Sequence, residues 1–126
     1  MAKGKFEGSF SGEKHIIKVG LEVLSWEEDG VFFIYAPSLD LTGYDTTKEA
    51  AQKSFENTLD DTLVYMERKG SFFDELERLG WTVNRKKKRV NAPHIEDLKK
   101  DNAEIEELLN RSDVVRESRN VELIAS

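Results

Sequence analysis

Residues 15–50 read HIIKVGLEVLSWEEDGVFFIYAPSLDLTGYDTTKEA, and the fold is decided by how this stretch is divided. Val19, Leu21 and Val23 alternate with Gly20, Glu22 and Leu24, the two-residue period of a half-buried strand, so a first strand is expected over His15 to Trp26. Glu27-Glu28-Asp29-Gly30 supplies turn chemistry, because an Asp-Gly pair tolerates the positive φ of a tight hairpin. Val31 to Ala36 then reads as the antiparallel partner, ended by Pro37. The connector from Ser38 to Tyr44 has room for a short third strand. Thr46 and Glu49 have the spacing of a capping box, which predicts a helix start at Thr46.

Outward from this stretch, Ala51, Phe55, Leu59, Leu63 and Met66 recur every three or four positions, one apolar stripe able to lie on the hairpin, with Gly70 placed to stop the helix. Ser71 and Asp74 repeat the capping pattern before a short helix whose Phe72, Leu76 and Leu79 face inward as far as Gly80. Trp81-Thr82-Val83 reads as a short strand. Beyond Pro93, the positions Ile95, Leu98, Asn102, Ile105 and Leu109 predict one amphipathic helix, and Val121 to Ile124 an edge strand. The class expected is α+β: a small antiparallel sheet with a β-β-β-α core and an additional C-terminal helix and strand. The expected organisation is a flexible segment over 1–14, an α+β domain over 15–90, and an extension over 91–126 packed on that domain or on a second subunit.

The chain of 126 residues has room for one domain of this kind, with a net charge of -6. It contains no cysteine, which excludes disulfides, thiolate metal sites and cysteine nucleophiles. Two histidines, His15 and His94, are too few for an ordinary zinc site without carboxylates from distant segments. Glu22, Asp40 and Asp45 are the carboxylates that would have to converge to hold Mg²⁺ for phosphodiester cleavage, but an exposed strand position explains Glu22 and a helix start explains Asp45. No nucleophile elbow and no phosphate-cradling glycine loop is present, so a protein without catalysis, cofactor or metal is expected. No apolar run approaches a membrane span, and the cytoplasm is the expected compartment.

Two surfaces stand out. Arg85, Lys86, Lys87, Lys88 and Arg89 form a basic strip that leaves the rest of the chain more acidic than the whole, and five adjacent cations are a candidate nucleic-acid contact. The competing reading is a solvated run or one paired with the acidic last helix. Phe32, Phe33 and Tyr35 fall on alternate faces of the second strand, so Val31, Phe33 and Tyr35 form a candidate partner interface on the face away from the helix. A sheet apolar on both faces also points to a homo-oligomer.

The order strand, Asp-Gly turn, strand ending in Tyr35-Ala36-Pro37, connector Ser38 to Tyr44, and a helix opened by Asp45-Thr46-Thr47-Lys48-Glu49-Ala50-Ala51 resembles the HicB antitoxin family over about residues 16 to 70. Pro37, Leu39, Gly43, Thr46, Glu49 and Ala50 stand where that family has its strand-end and helix-start residues. The resemblance implies a partly formed ribonuclease-H-like domain without an active site. It also implies an antitoxin that blocks a small basic toxin-like protein. The connector lacks the family's second proline, and the C-terminal third, helix then strand, lacks the order of a ribbon-helix-helix module. A HicB-like antitoxin or regulatory binding protein is thus the leading expectation, and a nucleic-acid-binding module using residues 85–89 the alternative.

Overall fold

The structure, a computed structural model, describes residues 15–125; the segment expected to be flexible, 1–14, lies outside the described residues. Strands β1 (His15–Glu28) and β2 (Val31–Ala36) form the expected hairpin, with Glu28 opposite Val31 as its last pair. Asp29 and Gly30 take φ values of 53° and 81° in the turn, the left-handed pair that lets the two strands keep their twist. After a turn over residues 37–40, β3 (Leu41–Asp45) returns along β2, so the connector does contain a third strand.

The tail departs from expectation in length. Strand β6 (Val115–Ala125) begins at Val115 instead of Val121 and pairs antiparallel with β1 in one unbroken register, from Ser25 opposite Val115 to His15 opposite Ala125. Its first residues, Val115-Arg116-Glu117-Ser118-Arg119-Asn120, carry too many charges for periodicity to register as a strand. The β1 edge supplies the pairing that composition does not. The sheet order is β3-β2-β1-β6, all neighbours antiparallel, which establishes a small α+β fold with a four-stranded sheet.

Helix α1 (Lys48–Lys69) lies across one face of this sheet through the whole of its expected stripe, Ala51, Phe55, Leu59, Leu63 and Met66, all buried. Burying each of the larger of these side chains stabilises by roughly 1.5–3 kcal/mol relative to exposure. On the sheet, Gly43 makes the approach possible: a Cβ there would lie 2.5 Å from Cα and 2.7 Å from Cβ of Phe55. The helix start is one residue later than expected. Thr47, not Thr46, is the cap, its hydroxyl oxygen accepting the Ala50 N–H at 3.1 Å, because the Asp45 carboxylate takes the Thr46 N–H at 2.7 Å and holds Thr46 outside the helix. At the other end the Ser71 N–H reaches back to the Met66 carbonyl at 3.0 Å around Gly70.

Helix α2 (Phe72–Arg78) buries Phe72, Phe73 and Leu76, whereas Leu79 is half-buried and already past its end; Ser71 precedes it without a side-chain capping bond. Buried Trp81 donates from its indole nitrogen to the Ser38 carbonyl at 2.7 Å, tying this segment to the β2–β3 turn. Strands β4 (Thr82–Asn84) and β5 (Arg89–Asn91) form a small second hairpin.

The single helix expected after Pro93 is two, α3 (Ile95–Leu98) and α4 (Ala103–Asn110). Asn102, placed by sequence in an apolar stripe, instead caps α4, its side-chain oxygen accepting from Glu104 N–H at 2.9 Å and Ile105 N–H at 3.4 Å. Asparagine competes with the helix for backbone groups, so an i, i+3, i+4 pattern running through it marks a break. Ile95 and Ile105 are buried with Leu24 on the sheet face opposite α1. No helix among the described residues is long and apolar enough to cross a membrane.

Candidate partner-binding face

The register assigns a face to every strand residue. Leu21, Val23, Ile34 and Leu123 point into the α1 core, so their alternates Leu24, Trp26, Phe33 and Tyr35 point the other way. On that second face α3 and α4 cover the part around Leu24 and Tyr35. Tyr35 is thus only partly available: it packs against this second cluster and its hydroxyl donates to Asp40 at 3.3 Å. Val31 and Phe33, the other two members of the expected interface, are half-buried.

Next to them is a row that sequence reading missed in part. Trp26 on β1 stands opposite Phe33 on β2, which stands opposite Tyr44 on β3. Their rings stack across the strands, at 5.2 Å and 11° for Trp26 and Phe33 and at 5.9 Å and 28° for Phe33 and Tyr44. Tyr44 remains 61% exposed. Such cross-strand aromatic pairs add about 0.2–1 kcal/mol to the sheet, and they also present a continuous π surface. Trp26 was within reach of sequence reading, because a two-residue Asp-Gly turn pairs Glu28 with Val31 and so Trp26 with Phe33. Tyr44 was not, since its register depends on the turn through Pro37.

One end of the row already holds a cation. The Arg111 guanidinium lies 6.0 Å over the Trp26 ring, paired with Glu28 at 3.1 Å and Asp113 at 2.6 Å. Hydrogen bonding to Asp113 and then Glu28 raises the Arg111 pKa above its ordinary value and lowers that of Asp113. Aromatic ring and carboxylates together form a cradle for a guanidinium, as expected of a weakly hydrated, planar cation. Glu28 and Asp29 add negative charge at the same hairpin end.

The basic strip is the turn of the β4–β5 hairpin, with Arg89 opening β5. It is less free than its sequence suggests. Arg85 bridges Asp74 at 2.7 Å and Glu77 at 2.5 Å on α2, not the last helix, and both Arg85 and Lys88 lie over the Phe73 ring at 5.7 and 5.8 Å. Lys86, Lys87 and Arg89 are exposed and make no ion pair among the described residues.

The carboxylates weighed for a metal have separate occupations. Glu22 holds Arg116 through two bonds of 3.0 and 3.1 Å, Asp40 receives the Tyr35 hydroxyl, and Asp45 receives the Thr46 amide. Among the described residues no three His, Cys, Asp or Glu side chains are grouped to hold an ion. Between the first turns of α1 and strand β6 there is a cleft of about 720 Å³, lined by Phe32, Ala51 and Val115. Its rim mixes Lys48 and Arg119 with Glu49 and Glu117, so it presents no field of one sign. Comparison of the chain with protein-family models, with curated proteins and with solved structures gave no match.

Proposed function

We propose that this chain is a non-catalytic binding protein that takes a basic protein partner on the Trp26–Phe33–Tyr44 row, as a HicB-like antitoxin would take a small basic toxin-like protein. The observation that carries the reading is the stacked aromatic row with exposed Tyr44 at one end and the Arg111 guanidinium held over Trp26 between Glu28 and Asp113 at the other. A partner arginine would be received by the same combination of ring face and carboxylate. The overall charge of -6 favours approach of a basic partner. Resemblance over residues 16 to 70 supports the family reading independently of charge.

The test is purification of the tagged full chain from its host, with mass spectrometry of bound protein and sequencing of bound nucleic acid. A small basic protein in stoichiometric amount is expected. Tyr44→Ala, an exposed position, should weaken its binding by about 30-fold, the scale of an aromatic hot spot worth roughly 2 kcal/mol. Lys86→Ala with Lys87→Ala should leave it bound. Binding indifferent to Tyr44→Ala would overturn the reading.

A second reading rests on Lys86, Lys87 and Arg89, exposed on and beside the tip of the β4–β5 hairpin. Recovery of nucleic acid alone, lost in the Lys86→Ala, Lys87→Ala variant, would favour it. With Arg85 already paired, the salt dependence should be that of about three phosphate contacts, not five.

A further inference from the structure

Strand β6 is an edge of the sheet, and among the described residues no strand pairs with its outer side. Besides charged side chains, which also protect an edge, exposed edges are usually blunted by proline, by a bulge or by extreme shortness. β6 has none of these: it runs over eleven residues without proline or glycine, and its pairing with β1 keeps one register throughout. What it carries instead is an ordered set of charges.

We infer that the outer edge of β6 pairs antiparallel with β6 of a second copy of this chain, about a two-fold axis at Ser118. An antiparallel join that continues the sheet keeps like faces together, so residues directly opposite must share parity, and the axis must pass through a residue. With the axis at Ser118, Glu117 falls opposite Arg119 of the second copy and Arg119 opposite its Glu117. Val115, 57% exposed, falls opposite Val121, and Arg116 opposite Asn120. Within one chain Glu117 and Arg119 already form a pair of 2.9 Å on the α1 face, so the join would turn one ion pair into an alternating row of four charges. An axis at Glu117 or at Arg119 would set like charges against each other. An axis at Asn120 would set Glu117 against Leu123 and Arg119 against Val121. The Ser118 register alone matches both charge and apolar content. This surface is distinct from the aromatic row and does not depend on its function.

The absence of cysteine makes the register directly testable. In the full chain, Ser118→Cys places two thiols across the axis at about 4.5–5.5 Å between Cα atoms, within disulfide range. Asn120→Cys separates its thiols by about 14 Å along the strands. The expected results are a dimeric mass by light scattering for the native chain, near-complete disulfide-linked dimer on oxidation of Ser118→Cys, and little for Asn120→Cys. Glu117→Arg should give a monomer with unchanged circular dichroism, and Glu117→Arg combined with Arg119→Glu should restore the dimer. A monomeric native chain would overturn the inference, including the case in which residues 1–14 occupy the edge. So would equal linking at positions 118 and 120, or a dimer indifferent to the charge reversal.

Discussion

Tyr35 illustrates how one residue's role is divided between strand and tertiary contact. Its place on β2 puts it on the face shared with Val31 and Phe33, but packing against the Leu24, Ile95 and Ile105 cluster takes much of its ring, and its hydroxyl is committed to Asp40. Burial first, then the Asp40 charge and hydrogen bond, push its pKa from 10.0 up to about 12. Because the unfolded chain releases this proton first, the contribution of the neutral phenol is fully present below pH 10 and is lost as pH rises through about 12. The thermal midpoint of the native chain should therefore fall more steeply between pH 10 and 12 than that of Tyr35→Phe. Parallel curves for the two would refute the assignment.

At the scale of elements, boundaries were harder to read than stripes. All five residues of the α1 stripe are buried as expected, yet its cap shifted by one residue because Asp45, at the end of β3, competes for the Thr46 amide. Thr47→Ala should cost about 1 kcal/mol in urea denaturation, whereas Thr46→Ala should change stability by no more than a few tenths. Equal losses would mean that the cap is shared. The same competition between side chain and backbone divides the helical stretch at Asn102 into α3 and α4. That division matters for the binding face, since the cluster built on the two short helices takes in Leu24 and packs against Tyr35 and part of Trp26, while Phe33 stays half-buried and Tyr44 exposed.

For the molecule as a whole, the central strand β1 is completed by the last strand of the chain. Leu123 is fully buried in the α1 core, and Ile17, Val19 and Val121 pack against that core. Arg119 also reaches the Gln52 side chain on α1, and Arg116 links Glu22 on β1 to Glu96 on α3. A chain ended after residue 90 keeps every element of the expected domain but uncovers one whole edge of β1 and the Leu24 face. It should show no cooperative thermal transition, while the full chain shows one. Cooperative unfolding of the shortened chain would establish residues 15–90 as self-sufficient.

The amino-acid sequence by itself determined the α+β class, the Asp29–Gly30 hairpin and the α1 stripe, because each is set by local periodicity or by the backbone freedom of neighbouring residues. It also marked Phe33 as facing away from the helix. Only the tertiary structure decided that residues 115–120 are strand, that Arg85 is bound by α2, that Tyr44 continues the row begun by Trp26 and Phe33, and that Arg111 lies over it. Each of these depends on pairing between segments far apart in the chain, where register and electrostatic partners follow from which surfaces meet and not from any pattern within one segment.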